Sequence, residues 1–358
     1  MEPQEKLLET LELHKIGFEH EGAGGQPCPF YGRLCAAVMR DVERGGAAWD
    51  WLEPHASADF DQAYVLRLLG ALHRMALAGD SSDLVARFPS TGGDGDADAT
   101  YRILEGLLAD PPPLLADMMT RPPQTNEVGR SIALMSGLLV LADRLRLPMA
   151  LREIGSSAGL NLRLDTYWYE EGPTGWGNPA SKVRFSDMWP GKPPPFGADL
   201  TIADRRGCDR DPIDVSDPEG ALTLLSYVWP EPEWRFQLAS NAIEQARDVP
   251  VTIDKEDAEI WLPRVLGEEE DGIATVVLHS VMWRYLGEDG RAAATQAIEE
   301  AGARATRAAP LAWLRLEPHP ETFFPGELRL RVWDGEDHGD ELLAHSGFHG
   351  GPLSDWSG

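Results

Sequence analysis

The residues best suited to chemistry stand together at Glu153-Ile154-Gly155-Ser156-Ser157-Ala158-Gly159. An apolar run, Met149-Ala150-Leu151, leads into them and a helix-like run, Leu160 to Asp165, follows, so the spacing predicts a strand, a glycine turn and a helix. Such a turn lets backbone N–H groups and a helix N-terminus face a ligand closely. An acid just upstream can grip a hydroxylated or cationic part of that ligand. Two chemistries share these letters. Spaced as Glu-x-Gly-x-x-x-Gly, the turn is a cradle for a small molecule; spaced as Gly-x-Ser-x-Gly, it lifts Ser157 on a sharp bend as a nucleophile.

The elements around the turn bear on that choice. From Pro3 to Leu145 apolar residues recur at near-helical spacing, as in Leu66, Leu68, Leu69, Leu72 and Met75, and no alternating strand interrupts them. Breaks at Thr91 to Asp96 and at Pro111-Pro112-Pro113 predict several helices, read as a bundle or cap over residues 1–123. Another helix is expected over Thr125 to Leu147, with Gln124-Thr125-Asn126-Glu127 supplying its cap. Beyond Gly159, candidate strands at Leu200 to Arg205, Pro250 to Ile253, Ala274 to His279, Leu311 to Glu317, Leu328 to Trp333 and Leu342 to Phe348 alternate with helical runs. The helical runs are Gly220 to Val228, Trp234 to Arg247, Ala258 to Leu266 and Arg291 to Ala301. Alternation of this kind argues for an α/β sheet over residues 124–358. The last two strands follow one another through Asp334 to Gly339 without a helix, so an antiparallel hairpin closes the sheet. An insertion at 166–197 carries Tyr167, Trp168, Tyr169, Trp176 and Trp189, rings that suit a hairpin completing a core or, as the alternative, the flank of a pocket.

Composition narrows the partners. With 59 acidic against 32 basic residues the formal charge is −27, which repels phosphate backbones and anionic lipid, and 42% hydrophobic residues are ample for a packed core. Neither nucleic acid nor membrane is therefore an expected partner. Cys28, Cys35 and Cys208 show no metal-type pairing and suit a reducing compartment. The nine histidines are scattered, so no metal is expected. Glu2, Glu5 and Lys6 open the chain in place of a basic segment and an apolar run, which reads as cytoplasmic.

The turn, followed by Asp209 in Gly207-Cys208-Asp209-Arg210-Asp211-Pro212, then Asp257-Ala258, then His279-Ser280, resembles the ordered landmarks of class I S-adenosylmethionine-dependent methyltransferases. That resemblance implies a Rossmann-like, mostly parallel sheet with an antiparallel last strand, preceded by an N-terminal helical region. It also implies methyl transfer to a small molecule. On it, Glu153, Gly155, Ser156, Ser157, Ala158, Gly159 and Asn161 contact the cofactor, Asp209 holds the ribose hydroxyls, and Asp257 with Ala258 meets the adenine. His279 and Ser280 then lie nearest the reacting methyl, while Gln124, Asn126, Glu127 and Arg130 are candidate substrate contacts. Over nearly its whole length the chain also resembles a bacterial family catalogued as domain of unknown function 2332. The shared words are Gln124 to Arg130, Glu153 to Leu162, Asp209 with Pro212 and Asp214, Val228-Trp229-Pro230 and Val277-Leu278-His279-Ser280.

Ser157 stands where methyltransferases usually have glycine, which opens a second reading: a non-catalytic or ligand-sensing protein with a degenerate methyltransferase fold. A third, a serine hydrolase, finds Ser157, Asp209 or Asp257, and His279 in order. It lacks the strands that should precede a nucleophile elbow, has Leu160 where a small residue belongs, and shows no oxyanion sequence. Glycine spacing also disfavours a nicotinamide-binding fingerprint. For several residues a structural role competes: His279 as a satisfied strand-end histidine, Gln124 to Glu127 as a helix cap, and Trp229 and Trp283 as core anchors.

Overall fold

The computed structural model describes residues 2–19, 27–56, 63–267 and 270–356. In chain order the helices α1 (Pro3–Glu19), α2 (Pro29–Glu43), α3 (Ala47–Leu52), α4 (Tyr64–Ala78), α5 (Ser82–Val85), α6 (Ala97–Ala109), α7 (Pro113–Thr120) and α8 (Ser131–Leu145) come first. Strand β1 (Met149–Ile154) follows, then β2 (Trp168–Glu171), β3 (Thr174–Gly177), β4 (Arg184–Ser186) and β5 (Ile202–Asp209). The remainder runs α9 (Pro218–Ser226), α10 (Glu233–Ala246), β6 (Thr252–Lys255), α11 (Ala258–Val265), β7 (Ala274–Ser280), α12 (Gly287–Arg304), β8 (Leu311–His319), β9 (Phe323–Trp333) and β10 (Asp337–Ser346).

The described chain divides into two compact units, one of the residues up to Thr125 together with Asp217–Ser240, the other of Asn126–Ser216 together with the chain from Asn241 onward. The first is helical. Leu34 and Val38 of α2, Leu68 and Leu72 of α4, and Leu104 of α6 fill one core with Phe30 and Phe88. Asp96 caps α6 by accepting the Ala99 N–H at 2.9 Å, the bond expected of an N-cap aspartate. Residues 217–240 fall among these helices, a difference from the sequence-based division at 123/124. The Arg74 guanidinium, only 5% exposed, pairs with Glu219, and the buried His73 ring bonds the Ser226 carbonyl through Nδ1 at 3.1 Å, so α9 answers polar groups that α4 buries.

The second unit carries a seven-stranded sheet in the order β10-β9-β8-β7-β1-β5-β6. The pairings β7/β8, β1/β7, β1/β5 and β5/β6 are parallel; β9 is antiparallel to both β8 and β10. All but one residue of β1 and all but one of β7 are buried, as interior strands of a sheet covered on both faces require. On one face Trp261 and Leu262 of α11 and Ala294 and Ile298 of α12 pack with Ile154, Val277 and Trp313. On the other α8 lies so close that a Cβ on Gly137 would collide with the Leu314 side chain. Successive strands leave β1 by way of β5 and β6, and the chain then returns to β7 on the opposite flank. Strand order therefore reverses between β1 and β7, and in open α/β sheets ligands bind beside the carboxyl ends of strands at such a reversal.

Two expectations change. The helix foreseen over Leu160 to Asp165 is a 3₁₀ segment, Asn161–Thr166, because side chains claim the carbonyls that an α-helix would use. Tyr167 Oη donates to the Leu160 carbonyl at 2.7 Å, Tyr169 Oη to the Leu164 carbonyl at 2.8 Å, and Arg163 Nη1 to the Ala158 and Gly159 carbonyls at 3.1 and 2.9 Å. The helix foreseen from Thr125 starts at Ser131, after a 3₁₀ turn at Val128–Arg130, since Asn126 and Glu127 bond elsewhere. The insertion forms a separate three-stranded sheet, β3-β2-β4. Its Trp189 indole N–H donates to Ser136 Oγ at 2.8 Å, which fastens it to α8.

Candidate functional site

Strand β1 delivers the glycine turn to the carboxyl edge of the sheet, where the end of β5 holds Ser156 and Ser157. Ser156 donates both its N–H and its hydroxyl to the Cys208 carbonyl, at 3.1 and 3.2 Å. The Ser157 N–H reaches Asp209 Oδ2 at 2.9 Å, and the Gly159 N–H closes back on the Ser156 carbonyl at 2.7 Å. Gly155 and Gly159 lie at φ 65° and 66°, in the left-handed region that glycine occupies without strain. Ser157 is at φ 50°. Together with the Gly159-to-Ser156 bond, its positive φ at the second position makes a type II′ turn, for which glycine is the usual residue there. A serine in that conformation costs roughly 1–2 kcal/mol.

In and beside the turn, polar atoms are buried without partners. Glu153 is 2% exposed and its Oε2 has no hydrogen bond. Burial, reinforced by the nearby Asp209 charge, raises its pKa well above the usual carboxylate range against the pull of Arg130 and Arg163. Ser157 Oγ and Asn161 Oδ1 are likewise buried and unpaired. Unsatisfied buried polar atoms are rare enough that three on one short segment call for an explanation, and a titrating group displaced by burial at a strand end is a recurrent mark of a ligand site.

Most of the residues singled out in the sequence converge on this edge. Asn126 Oδ1 accepts the Leu160 N–H at 2.7 Å, and Asn161 Nδ2 donates to the Glu127 carbonyl at 3.4 Å. The Glu127 carboxylate meets His349 Nδ1 at 3.2 Å. Arg130 donates from Nε to the Phe348 carbonyl at 2.7 Å and from Nη1 to the Ser280 carbonyl at 3.1 Å, tying the end of β7 to the C-terminal segment. Asp209 closes β5, and its Oδ1 accepts the Asp211 N–H at 2.9 Å. Asp257 pairs with Arg210, whereas Ala258 is buried in the α11 core. Gln124 belongs to the helical unit and is half-buried.

His279 is engaged on both sides. It is fully buried at the end of β7; its Nε2 accepts the Trp313 indole N–H at 3.0 Å, so Nδ1 carries the proton and donates to Glu317 Oε1 at 2.6 Å. Glu317 also accepts the Met282 and Trp283 N–H groups at 3.1 and 3.3 Å, and Trp283 stacks on the imidazole at 4.7 Å. Sequence reasoning missed Glu317, Trp313 and Met282. The available signal for Glu317 was its place near the end of a parallel strand adjoining β7. Met282 had none, although its side chain crowds Gly155 so closely that an added Cβ would fall 2.9 Å from Cγ.

A parallel five-strand core in the order β6-β5-β1-β7-β8, with a strand-order reversal at β1/β7 and helices on both faces, defines a mixed α/β protein with a mostly parallel sheet. Residues 18–356 match the family model described as "Uncharacterized protein conserved in bacteria (DUF2332)", and the chain belongs to that family. No curated protein and no solved structure matches the chain. Among the described residues, no helix is long and apolar enough to cross a membrane.

Proposed function

We propose that the protein is an S-adenosylmethionine-dependent methyltransferase acting on a small molecule at the carboxyl edge of β1, β5 and β7. The observation that carries this reading is the coupling of the glycine turn to Asp209: the Ser157 N–H bonds Asp209 Oδ2, and the buried Glu153 at the end of β1 has an Oε2 without a partner. Each Asp209 oxygen accepts one backbone N–H, which leaves lone pairs for two ribose hydroxyls. Glu153 suits the cationic amino group of an amino-acid moiety, because a buried carboxyl oxygen without a partner gains most from a new donor. The donor brings an activated sulfonium methyl, so the protein's task is to hold it in line with a nucleophile.

The chain's own residues then act by position. Arg130 ties the Ser280 carbonyl to the C-terminal segment, and Glu317 pins the backbone at Met282 and Trp283. His279, with both ring nitrogens occupied, orders this segment through Glu317 and Trp313 and is a positioning residue. The same occupancy argues against a hydrolase, in which Ser157 Oγ would need a base.

Calorimetric titration with S-adenosylmethionine and S-adenosylhomocysteine, with nicotinamide nucleotides as controls, tests the reading. Binding of the first pair that weakens at least tenfold in Asp209→Ala supports it. Absence of binding to either leaves the ligand-sensing alternative.

A further inference from the structure

We infer that the Met282 side chain is a plug over the glycine turn, which a ligand displaces to reach Gly155 to Gly159; that this ligand is S-adenosylmethionine rests on the function proposed above. The residues that would face it are shut off from water: Ser156, Ser157, Ala158 and Asn161 are 0%, 3%, 2% and 1% exposed. A ligand that contacts the turn therefore needs a neighbour to move. Gly155 is the half-buried member of the turn, and the Met282 side chain lies along it. Its Cγ, Cβ and Cε stand 2.9, 3.0 and 3.1 Å from the point that a Cβ on Gly155 would take. The bare glycine at φ 65° thus leaves a hollow, and the thioether chain fills the space through which a ligand would approach the backbone. Met282 follows β7 and Gly155 follows β1, so the contact spans the strand-order reversal where open α/β sheets take their ligands.

The backbone that carries Met282 is fixed, whereas its side chain has soft torsions. Val281 sits at φ 51°, in the left-handed region where a β-branched residue is an outlier, and such strain persists only where the surroundings over-determine it. Here they do. The Ser280 carbonyl accepts from Arg130 Nη1 at 3.1 Å, the Val281 N–H donates to the Leu316 carbonyl at 2.9 Å, and the Met282 and Trp283 N–H groups donate to Glu317 Oε1 at 3.1 and 3.3 Å. These bonds hold the strained bend that sets Met282 against the turn. The side chain itself is unbranched, with three rotatable bonds and no polar hydrogen to satisfy, and residues 281–284 are half-buried. The other covers of the turn are bonded or belong to strands. Asn126 Oδ1 holds the Leu160 N–H at 2.7 Å, the Ile213 N–H meets the Ser157 carbonyl at 3.3 Å, and Ile253 beside Gly159 lies within β6. Met282 is the neighbour that moves without breaking a hydrogen bond.

The test is calorimetric titration of the full chain and of Met282→Ala with S-adenosylhomocysteine, joined to amide hydrogen exchange on both proteins without ligand. Removing the plug is expected to raise affinity at least about fivefold, whereas truncating a methionine that merely completed the site would lower it. Exchange should rise at least about threefold in the peptide carrying Gly155 to Gly159, while peptides from β8 and β9 keep the parent's rates. Met282→Val, which shortens the chain less severely, serves if the thermal melt of the alanine variant shows misfolding. If the parent binds, equal or lower affinity in the folded variant overturns the plug and leaves methyl transfer standing. Turn exchange equal to the parent's overturns it whether or not either protein binds. Turn exchange that rises while neither protein binds S-adenosylhomocysteine removes that cofactor and leaves the plug over a site for another ligand.

Discussion

Asp209 Oδ2 accepts the Ser157 N–H at 2.9 Å, so the carboxylate that ends β5 fixes the bend that ends β1. The two strands are parallel neighbours in register from Glu153/Gly207 to Ile154/Cys208, which places the acid beside the turn. Charge-assisted bonds to backbone amides are among the stronger ones, so Asp209→Ala should lower stability by about 1.5 to 3 kcal/mol. Asp209→Asn retains one acceptor oxygen and should cost less. Urea denaturation of the three proteins ranks them, and an alanine variant as stable as the parent would mean that the bond contributes nothing.

Glu153 yields a prediction with a defined sign. Burial raises its folded-state pKa above the ordinary 4.5, so the folded protein keeps the proton while the unfolded chain releases it once pH exceeds that value. Stability therefore falls as pH rises from about 4.5 towards the folded-state pKa. Glu153→Gln keeps the shape without the titration, and should exceed the parent in stability at pH 8 while matching it more closely at pH 5. The same variant should bind S-adenosylmethionine more weakly, because a neutral amide replaces the acid facing the amine. Denaturation midpoints at the two pH values, with calorimetry at neutral pH, check both parts.

Ser157→Gly relieves a left-handed φ of 50° and removes a buried hydroxyl without a partner, against the added freedom of the unfolded chain. The expected balance is a gain of about 1 kcal/mol. Cofactor affinity should be retained or rise, and neither protein should hydrolyse simple esters. A thermal melt, a titration and an esterase assay on one preparation are sufficient, and loss of a measurable esterase activity in the glycine variant would restore the nucleophile.

The helical unit has its own pH signature in His73. The ring is fully buried, its Nδ1 and Nε2 bonded to the Ser226 carbonyl and Ser90 Oγ at 3.1 and 2.7 Å, and burial lowers its pKa from 6.5 to about 4. The unfolded chain takes up a proton that the folded one refuses between these values. Stability is thus fully present above about pH 6.5 and declines as pH falls towards 4, by up to roughly 3 kcal/mol. His73→Gln should be less stable at pH 7 but lose less on acidification. Denaturation followed from pH 7 to pH 4.5 gives both slopes, and parallel slopes would contradict the assignment.

The amino-acid sequence by itself determined the helical character of the first region, the strand and turn at Met149 to Gly159, and the alternation that builds a mostly parallel sheet, because each depends on local periodicity and on glycine's freedom at positive φ. Strand ends were less legible. Asp209 closes β5 although periodicity ended that strand at Arg205, since pairing with β1 and β6 extends it. The folded structure decided that Asn161–Thr166 forms a 3₁₀ segment, for the hydroxyls of Tyr167 and Tyr169 reach back to the Leu160 and Leu164 carbonyls and the Arg163 guanidinium to those of Ala158 and Gly159, bonds that no apolar periodicity marks. It also decided the state of His279. From the sequence that residue could be a base or a satisfied strand-end ring, and only the folding of β8 alongside β7 brings Trp313 and Glu317 to its two nitrogens. Contacts of that kind depend on which strands become neighbours, which is set by how the whole chain buries its apolar surface and not by any window of residues.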